Sequence, residues 1–329
     1  MTGSVPGAQR STREAYRDAV VALLATDERV FCLDSDTGLF AGTDFASAKD
    51  RYLNLGISEQ NLMGTAAGLA ASGKIPFVNT MATFATTRAL EAVKIDIAYN
   101  RLPVRIAATH GGLAAGHLGP THHALEDLAA MCVLPGMTVV VPGDAEQAEA
   151  ATWQTADWPG PVYLRLGKAA TPGLAIIVTG AGLTGAAMPP FILGQAQRLR
   201  QGTDLAIVAC GPHPVTVSVS ASDKLATSGV RAAVLNMHTL APLDVATLLD
   251  VAAPVTAVIT VEEHWRHGGL GSLVAQTLAE HQPTRVARIG VPHAFAQTTG
   301  NQPELLEQAG ITDARIIETA HALLGAPAP

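Results

Sequence analysis

Short apolar, β-branched runs alternate with stretches of helical spacing along this chain, and that alternation limits the fold more than any other feature. Arg29–Asp34, Tyr52–Leu55, Phe77–Thr80, Val104–Thr109, Thr138–Val141 and Val162–Leu166 read as strands. Helices are expected over Ser11–Thr26, from Glu59 onward, over Thr86–Tyr99, over Glu126–Cys132 and over Ala145–Asp157. Ser11-Thr-Arg-Glu14 supplies a capping box for the first of these. A second set of runs, Asp204–Cys210, Ala232–Asn236, Ala257–Val261 and Arg285–Ile289, repeats the pattern. Between the sets, Lys168–Met188 is rich in Gly, Ala, Thr and Pro and reads as a linker, with a small strand at Leu174–Val178. Phe191–Arg200 reads as a hairpin arm. Strands alternating with helices predict an α/β chain of two domains, each a mainly parallel sheet flanked by helices. The boundaries are placed at 1–170 for the first domain, 171–190 for a linker and 191–329 for the second.

A length of 329 residues suits about two domains. Hydrophobic residues make up 48% and charged residues 15%, which requires a large core, a large subunit interface, or both. The net charge is −7 and no basic run occurs, so nucleic acid is not an expected partner. No uninterrupted apolar run reaches the ~20 residues of a membrane helix. The polar start, Met-Thr-Gly-Ser-Val-Pro-Gly7, lacks the apolar centre of a secretory signal. Cys32, Cys132 and Cys210 lie apart in apolar segments and read as buried thiols of a reducing cytoplasm, without a disulfide frame or zinc site.

Several residues carry candidate chemistry. Asn54-Leu-Gly56 is turn-like and leads into a helix that begins near Glu59. A carboxylate there is favoured by free N–H groups and the helix dipole, whether or not it does chemistry. Asp34-Ser-Asp-Thr-Gly38 follows a strand, where α/β folds bind ligands, and also suits a plain acidic turn. Glycines 111, 112, 116 and 119 mark a loop whose backbone approaches something closely. His110, His117, His122 and His123 crowd the same region. Acids and cysteines do not cluster with them, so a polar substrate pocket fits better than a metal site. Arg165-Leu-Gly-Lys168 closes a strand with cations, either a solvated end or a phosphate clamp. Glu262-Glu-His264 with Gly268-Gly-Leu-Gly271 is read as packing and subunit contact rather than an anion site. There is no G-x-G-x-x-G fingerprint and no G-x-x-x-x-G-K-[ST], hence no signal for NAD or ATP.

Four segments taken together, Gly56-Ile-Ser-Glu59, Phe84-Ala-Thr-Thr-Arg-Ala-Leu-Glu-Ala-Val93, Thr109-His-Gly-Gly112 and Gly119-Pro-Thr-His122, resemble the pyrimidine-binding half of transketolases. The likeness is strongest to the small subunit of split, two-gene transketolases, and runs from about Tyr16 to about Leu324. Asn236-Met-His-Thr-Leu-Ala-Pro-Leu-Asp244 and Glu262–Ser272 resemble the carboxyl-terminal domain of that family. The resemblance implies thiamine diphosphate as cofactor, with Glu59 on the pyrimidine ring nitrogen and Phe84 packed on the ring. It places Asp36 and Ile57 near the cofactor and His122 near the reacting carbons. It implies substrate contacts from His110 and Arg88, and a phosphate clamp from Arg165 and Lys168, with Lys168 matching a family arginine. Leu118 stands where sugar-phosphate transketolases carry an aspartate that faces a substrate hydroxyl. His123 is read as structural.

The Gly-Asp-Gly segment that resembling enzymes use to hold Mg²⁺ and the diphosphate is absent. The expectation is that a large partner subunit supplies that domain, in an α2β2 assembly. The expected reaction is transfer of a two-carbon ketol unit from a ketose or its phosphate to an aldehyde. The alternatives are a subunit of a deoxyxylulose-phosphate synthase-like enzyme, of a 2-oxo acid decarboxylating enzyme, or a non-catalytic scaffold.

Overall fold

The computed structural model describes residues 9–180 and 188–325; the segment 181–187 of the expected linker and the polar start 1–8 lie outside them. In chain order the first half runs β1 (Arg10–Ser11), α1 (Thr12–Thr26), β2 (Val30–Asp34), β3 (Tyr52–Asn54), α2 (Glu59–Ala71), β4 (Ile75–Met81), α3 (Ala82–Thr86), α4 (Leu90–Ala92), β5 (Arg105–Thr109), α5 (Asp127–Cys132), β6 (Thr138–Val140), α6 (Ala145–Ala156), β7 (Val162–Arg165), β8 (Ala170–Thr171) and α7 (Leu174–Gly180). The second half runs β9 (Gln197–Arg200), β10 (Leu205–Ala209), α8 (Pro212–Thr227), β11 (Ala232–Asn236), β12 (Thr239–Ala241), α9 (Val245–Ala252), β13 (Ala257–Trp265), α10 (Leu270–His281), β14 (Arg285–Val291), α11 (Gln302–Gln308) and α12 (Asp313–Leu324).

The expected strands form two sheets, one of seven strands in the order β12-β6-β7-β5-β4-β2-β3 and one of five in the order β14-β13-β10-β11-β9. All neighbours within them are parallel except the edge pairs β12–β6 and β11–β9. Parallel strands covered by helices on both faces explain why runs such as Val30–Asp34 and Leu205–Ala209 are apolar throughout rather than alternating. Strand β12 belongs to the second half of the sequence yet closes the edge of the first sheet, with Thr239 opposite Val140. The two halves are therefore stitched, and one hydrophobic cluster runs from Leu62 and Val78 through to Val208 and Leu248.

The capping box of α1 is present: Ser11 accepts from Glu14 N, and Glu14 accepts from Ser11 N at 3.0 Å. Three expectations need correction. Leu174–Gly180 is helical, not a strand; Asp144 accepts its first backbone N–H at 2.7 Å, anchoring it beside α6. Phe191–Arg200 is not a full hairpin arm, because only Ile192 and Gln195 bridge before β9 joins the second sheet. Thr86–Tyr99 is not one helix: α3 ends at Thr86, α4 starts at Leu90, and Val93–Ala98 is wound as a π-helix. Thr86 and Thr87 turn their hydroxyls back to Ala82 O and Thr83 O, a pattern that loosens helices at that point. Arg88 lies in the resulting break. No helix among the described residues is long and apolar enough to cross a membrane.

Candidate active site

Strands β2, β3, β4, β5 and β7 all run the same way, so the loops after them meet at one edge of the sheet, the usual place for ligands in such folds. After β3, Asn54 Oδ1 accepts from Gly56 N at 2.9 Å, and Gly56 takes a positive φ of 70°. That turn delivers Glu59 to the first position of α2, where it is 1% exposed. Ser58, at the cap, makes no side-chain capping bond, so the Glu59 carboxylate is the charged group offered to the helix start. Ile57 beside it is 73% exposed.

Three side chains from other loops converge on Glu59 or on one another. Arg88 Nη1 donates to Glu59 Oε2 at 2.8 Å, and its guanidinium lies 4.5 Å from the centroid of the Phe84 ring. The His122 ring meets Phe84 edge-on, with centroids 5.3 Å apart. Glu59, Arg88, Phe84 and His122 thus form one contiguous cluster. A flat heterocycle bearing a ring nitrogen needs an aromatic face and a fixed carboxylate; Phe84 and Glu59 provide both, so the residues fit the pyrimidine end of the cofactor that the resemblance implies.

A second cluster lies around His110. This residue has φ 58° and sits 3.0 Å from Thr109 Oγ1 through Nδ1. Burial, together with the cations Arg13 and Lys168 and the neighbouring His117 and His122, pushes its pKa down to about 4. A cavity of about 330 Å³ opens here, lined by Arg13, His117, Lys168, Asn301 and Gln302 among others. Neither Arg13 nor Lys168 forms an ion pair among the described residues. The buried Arg13 Nε has no hydrogen-bond partner. Unpaired cations facing one cavity make a site for an anion.

The sequence reads Arg13 only as part of a capping box. The signal that could have found it is its position: a cation in the first turn stands against the helix dipole, a placement that needs a reason. Arg165, expected beside Lys168 in a phosphate clamp, is turned elsewhere. Its guanidinium forks onto Asp127 at 2.7 and 3.0 Å and donates to Ala124 O and Glu263 O, so it is consumed as a buried tie between the sheets. Asp36 is exposed at φ 60° and accepts from Asn54 Nδ2 at 3.1 Å. The buried acid of that loop is Asp34, which accepts from Thr37 and Tyr52 and whose pKa burial pushes up. Leu118 sits in a short 3-10 turn, Gly116–Leu118, and is 43% exposed rather than packed inward. His123 is buried.

The glycine loop does approach its surroundings closely. A Cβ on Gly111 would lie 2.8 Å from the Arg165 side chain, and one on Gly112 2.5 Å from Glu263 Oε1. Glu262 accepts the N–H groups of Leu270 and Gly271 at the start of α10, so this acid is a packing element of the second sheet.

Comparison with known proteins agrees with this geometry. Residues 8–173 match the family model described as "Transketolase, pyrimidine binding domain", and residues 194–316 match "Transketolase, C-terminal domain". One of the two subunits of the apulose-4-phosphate transketolase of Phocaeicola vulgatus is 37% identical over 94% of this chain and 96% of its own length. The 6-deoxy-6-sulfo-D-fructose transketolase subunit SqwH of Clostridium sp. is 36% identical over 94% and 93%. A solved structure titled "Split gene transketolase, inactive beta4 tetramer" superposes with a TM-score of 0.85 at 40% identity, over 96% of this chain and 98% of that one. The chain belongs to the transketolase family, as a subunit that joins the pyrimidine-binding domain to the C-terminal domain.

Proposed function

We propose that this chain is the pyrimidine-side subunit of a two-component, thiamine diphosphate-dependent transketolase that moves a two-carbon ketol unit from a ketose to an aldehyde. The observation that carries the reading is the single cluster of Glu59, Arg88, Phe84 and His122, set beside a cavity with unpaired cations. The cofactor, when bound, supplies the nucleophilic carbon that accepts and releases the ketol unit. Glu59 holds a proton against the pyrimidine ring nitrogen, and Phe84 orients the ring. Arg88 pairs with Glu59 in the free chain and must release the Phe84 face when a heterocycle stacks there. His122, at the edge of Phe84, reaches the substrate side. His110 stays neutral at physiological pH and acts as a hydrogen-bonding rather than a charged contact.

Arg13 and Lys168 bind a terminal anion on the substrate. The relatives above are named for a sugar phosphate and a sulfo-sugar, and a phosphate or sulfonate suits this cavity. Mg²⁺ and the diphosphate are held by a large partner subunit, since the chain lacks Gly-Asp-Gly. Exposed Ile57, Ile95 and Tyr99, on the Glu59 loop and the π-helix, supply apolar surface for it to cover. The expected assembly is α2β2, in the cytoplasm, where Cys32, Cys132 and Cys210 remain free thiols. The test is reconstitution with a large transketolase-type subunit encoded nearby. Ketol transfer that needs both chains, thiamine diphosphate and Mg²⁺ is expected; a reconstituted complex that only decarboxylates pyruvate defeats the assignment.

A further inference from the structure

The cation pocket is not closed by the first half of the chain. Its opposite wall is Asn301 and Gln302, at the start of α11. Gln302 Nε2 donates to Glu263 Oε1 at 2.9 Å and reaches Oε2 at 3.2 Å. The same carboxylate accepts the backbone N–H of Leu113 at 2.6 Å, in the loop between His110 and His122. Glu263 is 7% exposed and lies tight under that loop, where Gly112 has φ 68° and no room for a side chain. Burying a carboxylate is costly, and an apolar residue would fill this seam more cheaply. What the carboxylate adds is direction. An ionised carboxylate only accepts, so it turns the amide nitrogen of Gln302 toward itself and leaves the amide oxygen free to accept from a ligand. A free carbonyl oxygen repels an oxyanion but welcomes a hydroxyl.

Building on the anion-pocket reading above, we infer that Glu263 is a positioning residue through which the C-terminal domain sets substrate specificity. By fixing Leu113 and the orientation of Gln302, it makes the pocket select an oxyanion with a hydroxyl on the neighbouring carbon over the bare oxyanion. The ligand class is a polyol phosphate or polyol sulfonate. Arg13 and Lys168 take the anion, and the Gln302 oxygen takes the hydroxyl.

Calorimetry on the chain with inorganic phosphate and with glycerol 3-phosphate tests this without any turnover. The wild type should bind glycerol 3-phosphate roughly tenfold more tightly, the worth of one well-placed hydrogen bond. Glu263→Gln keeps size and an acceptor for Leu113 but lets the Gln302 amide turn over; Gln302→Leu removes the acceptor at a half-buried site. Both should bring the ratio close to one while affinity for inorganic phosphate stays within about twofold. A purely structural role would weaken both probes together. An unchanged ratio in both variants, or equal binding of the two probes by the wild type, overturns the inference and leaves the anion pocket standing. A wild type that binds neither probe overturns the pocket and the inference together. Dihydroxypropane sulfonate against sulfate, run in parallel, separates sulfonate from phosphate ligands.

Discussion

Glu59 is held by a helix start and by one guanidinium, with almost no access to water. That combination fixes a carboxylate in place, which a proton-handling group on a cofactor ring requires. Glu59→Gln retains size and a hydrogen-bonding oxygen but not the charge. The reconstituted enzyme should lose at least about a hundredfold in kcat, in the range removed with a general acid or base, while the chain melts as before. Near-native turnover would remove Glu59 from the chemistry. Leu118 poses a different question, because it is exposed beside the histidine loop and offers no acceptor. A substrate hydroxyl placed against it forgoes a hydrogen bond worth about 1–3 kcal/mol, or roughly ten- to a hundredfold in selectivity. Leu118→Asp should therefore raise kcat/KM for xylulose 5-phosphate with ribose 5-phosphate relative to the native pair. If the ratio of the two kcat/KM values does not move, Leu118 does not set specificity.

At the scale of elements, the strands were legible because burial on both faces forces continuous apolar runs, and Val30–Asp34 or Ala232–Asn236 allow little else. The break around Arg88 was not, because helical spacing continues through it. What interrupts the helix is hydroxyl bonding by Thr86 and Thr87 and a π-turn, devices that leave no periodic trace. Glu59, Phe84 and His122 could be named from local motifs, whereas Arg13 and Gln302 meet only because distant elements bring them to one cavity. The fate of Arg165 was hidden for the same reason, since Asp127 and Glu263 lie far from it in sequence. The junction of β13 and α10 yields a pH prediction. Burial, opposed by the N–H groups of Gly271 and Leu270, raises the Glu262 pKa to about 7. A raised acid binds its proton more tightly in the folded state, so this contribution is present at low pH and is lost as pH rises from about 4.5 to about 7. Relative to Glu262→Gln, the wild type should lose about 3 kcal/mol across that window, at about 1.4 kcal/mol per pKa unit. Urea unfolding of both proteins at several pH values measures the gap; a gap independent of pH would mean that Glu262 ionises as in the unfolded chain.

Taken as a whole, the molecule joins two sheets so firmly that neither half of the site is independent of the second domain. Strand β12 completes the first sheet, Arg165 spans to Glu263, and Gln302 walls the cation cavity. What the chain offers a thiamine cofactor is nevertheless one-sided. Phe84 and Glu59 suit a pyrimidine ring, and the free cations face the substrate cavity rather than continuing from the ring. A diphosphate with its Mg²⁺ carries most of the polar contacts that tighten binding of such a cofactor, each worth about 1.5–3 kcal/mol when charged. Forgoing two of them costs at least roughly a hundredfold in affinity. The isolated chain should accordingly bind thiamine diphosphate at least that much more weakly than the two-subunit complex, with Mg²⁺ present in both titrations. Saturating the chain with the large subunit should restore tight binding, and the Ile57 and Tyr99 surface should become protected from hydrogen exchange in its neighbouring amides as it is covered. Tight binding by the chain alone would mean that both ends of the cofactor find their ligands here, and the two-component scheme would have to be abandoned.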